Sequence, residues 1–296
     1  DYAIIGDCRS AALVSRDGAT EWLCWPRFDS PSLFAALLDQ EAGGRFVVAP
    51  AEPYHSTREY VADTNVLQTT FHVDGGGVLR LTDLMPVASE QEKRQQLWPE
   101  HWILRRIECL QGEVEVEWCC DMRPAYGRER PRLRRCRGLG LALQHGAQLC
   151  LLRSDLPADS FDRAPIVQGR ARLTAGQRRY LVLVYAHRLP AVLPSLGDAA
   201  EEAIANTIRW WRQWVRRCPY EGPHRDSVVR SALVLKLLTY APSGAVIAAP
   251  TTSLPEALGG VRNWDYRYCW LRDAYFVIMA LNRLGATQTM ESYLDY

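Results

Sequence analysis

Up to about residue 190, apolar residues recur in short alternating runs separated by turn residues, the period-two signature of half-buried strands. Runs 11–14 and 20–24 flank Arg16-Asp17-Gly18, a D-G turn signal. Runs 58–73 and 78–81 flank Gly75-Gly76-Gly77, and runs 101–110 and 113–120 flank Gln111-Gly112. Two further pairs, 139–143 with 148–152 and 166–173 with 180–185, complete the series. Repeated hairpins without intervening helices predict an antiparallel β-sandwich. One exception, 32–38, reads as a helical turn or two. The pattern changes near 190–194. Asp198 and Glu201 are spaced as a capping box, and Ile204, Ile208, Trp211 and Val215 then recur at helical spacing. Beyond them, Val228, Ala232, Leu235 and Leu238 form one apolar helical face. After a Pro/Gly-rich connector, Ala274, Val277, Leu281 and Leu284 form another, with Gly285 placed as a C-cap. A further helix starts at Thr287. The expected organisation is a sandwich over 1–190, a helical linker over 191–222 that packs across both neighbours, and a helical domain from 223 to 296 that is incomplete.

Composition adds boundaries rather than chemistry. The 296 residues are 48% hydrophobic and 23% charged with a net charge of +1, values of a soluble globular protein without a global pull toward nucleic acid or anionic membrane. No apolar run reaches the ~18 residues of a membrane span. The first residue is Asp1, so an upstream leader is left open. Nine cysteines and six histidines are scattered without C-x-x-C or zinc-ligand spacing. Cys24, Cys109 and Cys150 lie in strand-like runs and read as small buried hydrophobes, so reduced thiols and a cytoplasmic location are expected. The arginine run 123–137 reads as a solvated loop or hairpin tip. Nucleic-acid binding would need stacking aromatics, and only Tyr126 is near.

The chemistry concentrates in Arg262-Asn263-Trp264-Asp265-Tyr266-Arg267-Tyr268-Cys269-Trp270-Leu271-Arg272-Asp273. Aromatic faces beside an Arg-Asp pair suit a sugar, with flat walls for C–H faces and charged hydrogen-bonding groups for hydroxyls. Asp273 fits the first turn of a helix, whereas Arg272 is disfavoured there. A salt bridge to Asp265 and a role in binding vicinal hydroxyls are equally compatible with the residue types. Trp264, Tyr266, Tyr268 and Trp270 alternate, which in an extended strand puts all four rings on one side. The interleaved Asp265, Arg267 and Arg272 favour a partly polar pocket over a dry core.

The run from Thr251-Thr252-Ser253-Leu254-Pro255-Glu256 through Gly259-Gly260 to Asp273-Ala274 resembles glycoside hydrolase family 15, which contains glucoamylases, trehalases and isomaltose-type glucosidases. The N-terminal runs from Asp1 to Arg9 and from Asp17 to Pro31 resemble the β domain that precedes the catalytic domain in its trehalase-like branch. The resemblance implies that the sandwich and linker helix lead into the first helices of an (α/α)6 barrel with its pocket at the barrel mouth. By matching position, it implies that Arg272 and Asp273 hydrogen-bond a terminal glucose, that Trp270 lies beside that subsite, and that Tyr266 lies near the reacting carbon. Tyr268 is expected in the supporting shell. Inverting hydrolysis needs a carboxylic acid and a carboxylate base. The family's glutamates have no match here and are expected beyond Tyr296, so catalytic residues stay unassigned. Glu256 and Glu291 match no catalytic position.

The implied function is the N-terminal part of an exo-acting, inverting α-glucoside hydrolase, acting on an α-linked glucose disaccharide or oligosaccharide. No metal or other cofactor is needed for that chemistry, and no nucleic-acid or membrane partner is expected. The 296-residue chain alone is expected to be inactive, with an uncovered Val277/Leu281/Leu284 face. An oligomer is compatible with the sequence. A phosphate-dependent disaccharide phosphorylase and a non-catalytic carbohydrate-binding module are the rival readings. Trp25 and Phe28, with Trp22, form an aromatic segment that either packs against Trp210, Trp211 and Trp214 or walls the substrate pocket.

Overall fold

The computed structural model describes residues 1–88, 99–158, 165–187 and 196–296. The domain junction expected at 190/191 lies outside the described residues. The strands are β1 (Tyr2–Gly6), β2 (Ala11–Ser15), β3 (Ala19–Cys24), β4 (Ser32–Phe34), β5 (Arg45–Pro50), β6 (Tyr54–Tyr60), β7 (Leu67–Val73) and β8 (Val78–Leu84). They continue with β9 (His101–Gln111), β10 (Glu113–Asp121), β11 (Arg132–Cys136), β12 (Gly140–His145), β13 (Gln148–Ser154), β14 (Ile166–Thr174) and β15 (Arg178–His187). A seven-stranded sheet runs β1-β2-β3-β5-β10-β14 with β4 on β3, and an eight-stranded sheet runs β11-β12-β13-β15-β9-β8-β7-β6. The pairings within both are antiparallel. Ile5, Val14, Leu23, Phe46 and Val48 of the first sheet meet Phe71, Leu79, Leu81, Ile103, Ile107, Leu181 and Leu183 of the second in one buried core. This is the expected antiparallel sandwich, and the hydrophobic effect across its inner faces is its main support.

Several local expectations change. The run 58–73 divides into β6 and β7, which turn through Asp63 in the left-handed region (φ 60°) and pair from Tyr54↔Val73 to Tyr60↔Leu67. Gln111-Gly112 does not close a hairpin. β9 lies in the eight-stranded sheet and β10 in the seven-stranded one, so the chain crosses layers there. The same holds between β14 and β15, and the two crossings hydrogen-bond each other through Ala175 N to Gly112 O (2.9 Å) and Gly176 N to Cys109 O (2.8 Å). The segment 32–38 starts as β4, an edge addition to β3, rather than as a helical turn. The arginine run ends in β11, an edge strand whose Arg132, Arg134 and Arg135 are exposed, and charged residues suit such an edge.

One ion pair sits inside the sandwich. Arg105 is fully buried and donates to both oxygens of Asp83 (2.8 and 3.1 Å), to Phe46 O (2.5 Å) and to Gly18 O (2.6 Å). Arg105 and Asp83 belong to the eight-stranded sheet, while Phe46 belongs to the other and Gly18 to the turn between its strands β2 and β3, so one guanidinium ties the layers together.

The helices are α1 (Asp198–Val215), α2 (Arg225–Leu237), α3 (Leu271–Arg283) and α4 (Thr287–Leu294) among the described residues. The capping box does not form: Gly197 occupies the N-cap without a side-chain bond. Glu201 instead accepts from Arg106 Nη1 (3.0 Å) and Tyr180 Oη (2.8 Å), fastening α1 to the sandwich. Ala200, Ala203 and Ile204 pack on Leu104, Val182 and Val184, while Trp211, Trp214 and Val215 pack on Val229, Leu233, Leu237 and Leu281. The first half of α1 thus rests on the sandwich and the second on the helices. In α2 the buried residues are Val229, Ala232, Leu233 and Leu237; of the predicted face, Ala232 is buried, Leu238 is buried just past the helix and Leu235 packs on the same cluster, while Val229 takes the place of Val228. In α3, Leu281 is fully buried and Val277 and Leu284 pack against the same cluster. The face expected to be uncovered is therefore covered, and the exposed side carries Leu271, Tyr275, Phe276 and Met279.

Candidate functional site

The motif begins on a two-stranded ribbon of β16 (Thr252–Pro255) and β17 (Asn263–Asp265). Glu256 beside it accepts from Trp264 Nε1 (2.9 Å) and lies 3.4 Å from Arg262 Nη1. Glu256 therefore clamps the ribbon, and Glu291 is exposed on α4. Only Asn263–Asp265 is extended, so the four rings do not form a single row. The chain turns after Asp265, and Trp270 receives Tyr266 in a stacked arrangement (centroids 6.0 Å apart) and Trp264 edge-on (6.3 Å). Trp270 Nε1 donates to Asp265 O (3.2 Å), which fixes the ring at the entry to α3. Tyr268 is half exposed.

Trp270 is the N-cap of α3 and its indole, which has no acceptor, caps none of the first-turn N–H groups. Asp273 stands in that turn, where the helix dipole favours a carboxylate. Arg272 Nη2 pairs with Asp273 Oδ2 at 3.2 Å, and the two side chains are 74% and 39% exposed. The bridge from Arg272 to Asp265 considered from the sequence does not form, because Asp265 belongs to Arg267. The outcome is a solvent-facing guanidinium–carboxylate pair in the first turn of α3, just past a stacked Tyr–Trp platform at the entry to that helix. Such a pair offers donors and acceptors to vicinal hydroxyls, and the rings offer a flat apolar face.

Arg267 turns the other way. It is 6% exposed and makes a bidentate pair with Asp265 (Nε to Oδ1 2.9 Å, Nη2 to Oδ2 2.8 Å). Its Nη1 reaches Ser30 O (2.8 Å) and Cys24 Sγ (3.5 Å), both in the sandwich. Burial opposes ionisation of Asp265, but the bonds from Arg267 outweigh it and hold the carboxyl below its ordinary value. Burial, only partly offset by the Arg267 guanidinium, pushes the Cys24 thiol up to about 12, so it meets the guanidinium as a neutral group. The interleaved charges, expected to make the pocket polar, thus divide: Arg272 and Asp273 face solvent, and Asp265 and Arg267 pin the loop from behind. The Asp-x-Arg spacing was the available signal for that pairing.

The aromatic segment of the first strands separates into three environments. Period-two alternation on β3 sends Leu23 into the sandwich core and Trp22 and Cys24 to the outer face, where Trp22 Nε1 donates to Pro250 O (2.6 Å). Trp25 is fully buried in the sandwich against His101 and Tyr185. Phe28 packs edge-on to Tyr240 in the cluster that contains Trp211 and Trp214. Neither Trp25 nor Phe28 is placed as a pocket wall, since both rings are enclosed by other side chains. A separate cavity of about 450 Å³ is lined by Asp7, Arg9, Trp210, Arg217, Lys236 and Gln288 among others, and by no residue of the motif. All nine cysteines are free thiols. Among the described residues no three His, Cys, Asp or Glu side chains cluster as a metal site, and no helix is long and apolar enough to cross a membrane.

Comparison with known proteins resolves the family. Residues 2–154 match the model described as "Trehalase-like, N-terminal", and residues 222–295 match "Glycosyl hydrolases family 15". The chain belongs to the trehalase-like branch of glycosyl hydrolase family 15. This family-15 chain is 32% identical to the trehalase of Thermoplasma volcanium over 99% of its own length and 46% of the relative's. It is 33% identical to the trehalase of Mycolicibacterium smegmatis, covering 100% of the chain and 46% of that protein. With the trehalase of Thermoplasma acidophilum it shares 34% identity over 95% and 47% of the two lengths. The family-15 chain therefore spans just under half the length of the curated relatives it matches. A solved structure from the human microbiome whose description names a kojibiose phosphorylase superposes with a TM-score of 0.40 at 10% identity, covering 84% of this chain and 36% of that one, a likeness that carries no argument.

Proposed function

We propose that this chain supplies the glucose-binding loop of an exo-acting, inverting α-glucoside hydrolase, with trehalose or another α-linked glucose disaccharide as substrate. The observation that carries the reading is the exposed Arg272–Asp273 pair (3.2 Å) in the first turn of α3, just past the stacked Tyr266–Trp270 platform that leads into it. Its membership of family 15 and the trehalase names of its relatives supply the reaction class and the substrate.

In this reading Arg272 and Asp273 bind adjacent hydroxyls of the non-reducing glucose, and Trp270 covers its C–H face. Tyr266 lies near the anomeric carbon, where its electron-rich ring and hydroxyl stabilise developing positive charge. A carboxylic acid protonates the glycosidic oxygen, and a second carboxylate, ~6.5–9.5 Å away, activates water on the opposite face. We assign neither carboxylate to residues 1–296, because Glu256 is engaged as a ribbon clamp and Glu291 matches no catalytic position. The chain by itself is accordingly proposed to be inactive.

Arg272→Ala in the full-length protein tests the assignment. It removes a charged hydrogen-bond donor and leaves its sugar partner unpaired, so kcat/KM for trehalose is expected to fall about 10- to 100-fold. A variant within a factor of two of wild type would refute the sugar-binding role.

A further inference from the structure

We propose that Arg267 is a positioning residue through which the β-sandwich sets the sugar affinity of the loop, so that the sandwich is a working part of the substrate site. The inference rests on the assignment of Arg272, Asp273, Trp270 and Tyr266 as sugar contacts. It adds how these side chains are held in place.

The contacts form a continuous chain. On the sandwich side, Ser30 O and Cys24 Sγ accept from Arg267 Nη1 (2.8 and 3.5 Å), and the Tyr126 ring lies 5.8 Å from the guanidinium carbon. On the motif side, the rest of the guanidinium is spent on the Asp265 carboxylate. Asp265 Oδ1 also accepts from Arg267 N (3.0 Å), closing the turn on itself, and Asp265 O receives Trp270 Nε1 (3.2 Å). Trp270 is the N-cap of α3, so the next turn of chain is the one that bears Arg272 and Asp273. A second tether runs in parallel: Trp22 Nε1 donates to Pro250 O (2.6 Å), while Ala249 N and Ala248 N donate to Tyr266 O (2.9 Å) and Tyr268 O (3.2 Å). From β3 of the sandwich to the sugar-facing pair, each link is a hydrogen bond or a peptide step.

Two features mark this as more than interdomain glue. Arg267 is itself buried and reaches the Tyr266–Trp270 platform through the Asp265 carboxylate and the backbone, so its effect on a ligand is geometric. Its fork geometry also makes it irreplaceable by lysine, since a single ammonium cannot serve a bidentate carboxylate and a carbonyl on the opposite side together.

The test is kinetic, in the full-length protein with trehalose, on Arg267→Lys and on Tyr126→Leu, which alters the sandwich side alone. Both are expected to raise KM, Arg267→Lys by about tenfold and Tyr126→Leu by a few-fold, with kcat changed less than KM and with assays run well below the unfolding midpoint. A purely structural role would lower the midpoint and leave the KM of the folded fraction unchanged. If Arg267→Lys yields too little folded protein, Tyr126→Leu decides alone. KM within twofold of wild type in the folded variants, while Arg272→Ala is impaired, overturns the positioning role. An unimpaired Arg272→Ala overturns the sugar-site reading itself, and the positioning role with it.

Discussion

Trp25 shows how far residue type leaves function open. Beside Trp22 and Phe28 it could have walled a pocket, yet its ring is fully enclosed by the sandwich, near His101 and Tyr185. Removing a buried tryptophan leaves a cavity that the surroundings fill only partly. Trp25→Ala is therefore expected to cost about 3–5 kcal/mol of stability, read by denaturant unfolding, with KM unchanged in the folded protein. A raised KM at unchanged stability would return Trp25 to the pocket. Arg272 and Asp273 are the opposite case: the sequence marked the pair as chemically poised, and their exposure leaves them available to a ligand. The partner of Arg272 was not legible, because Asp265 and Asp273 are both within reach in sequence and only the turn after β17 commits Asp265 to Arg267.

At the scale of elements, the strands themselves were legible and their partners were not. Gly76 and Gly112, from the predicted turns, and Gly176 between β14 and β15 share a left-handed backbone (φ 86°, 68° and 85°). Only the first closes a hairpin, between β7 and β8. The other two carry the chain across the layers, since long strands buried on one face can satisfy their ladders in either sheet. The Arg105–Asp83 pair was equally hidden, for it is defined by contacts to Gly18 and Phe46 far along the chain. Arg105→Met leaves the Asp83 carboxylate buried without a counter-ion and is expected to destabilise the protein by about 3–5 kcal/mol. The double variant Arg105→Met/Asp83→Leu should recover most of that loss, and urea unfolding of the two distinguishes them. Equal destabilisation of both would show that the ties to Gly18 and Phe46 dominate.

The β16–β17 ribbon carries a pH signature. The folded Asp265 carboxyl lies below its ordinary value of 3.8 because Arg267 outweighs the burial that opposes it. A depressed folded value stabilises at pH above the unfolded value, and the contribution fades as pH falls through the folded one. Stability from this pair should therefore be complete at neutral pH and be lost only in acid below the ordinary carboxyl range. Asp265→Asn should flatten that part of the stability–pH curve measured by chemical denaturation between about pH 5 and 2. An unchanged acid limb would mean that the pair is not coupled to folding.

Over the whole molecule, α1 is the element that joins the sandwich to the helices, with separate clusters at its two halves. The sequence suggested this from its amphipathic spacing. It misassigned the open face of α3, because Val277, Leu281 and Leu284 meet the cluster of Trp211 and Leu237. The face that remains exposed holds Leu271, Tyr275, Phe276 and Met279, and large apolar patches of this kind favour association. The 296-residue chain is expected to bind a hydrophobic dye and to self-associate with concentration in sedimentation experiments. Phe276→Glu with Leu271→Ser should suppress both. A monomeric wild-type chain without dye binding would contradict this.

We propose inverting hydrolysis of an α-glucoside as the reaction of the full-length protein. Its most direct test is to follow the anomeric protons by NMR as the full-length protein acts on trehalose in phosphate-free buffer. Inversion at the attacked carbon converts one glucose to the β anomer, while the departing glucose keeps its α configuration. Inverting hydrolysis therefore yields both anomers at first in equal amounts, before mutarotation mixes them. Release of α-glucose alone would contradict inversion, and turnover only after phosphate is added, yielding glucose 1-phosphate, would contradict hydrolysis.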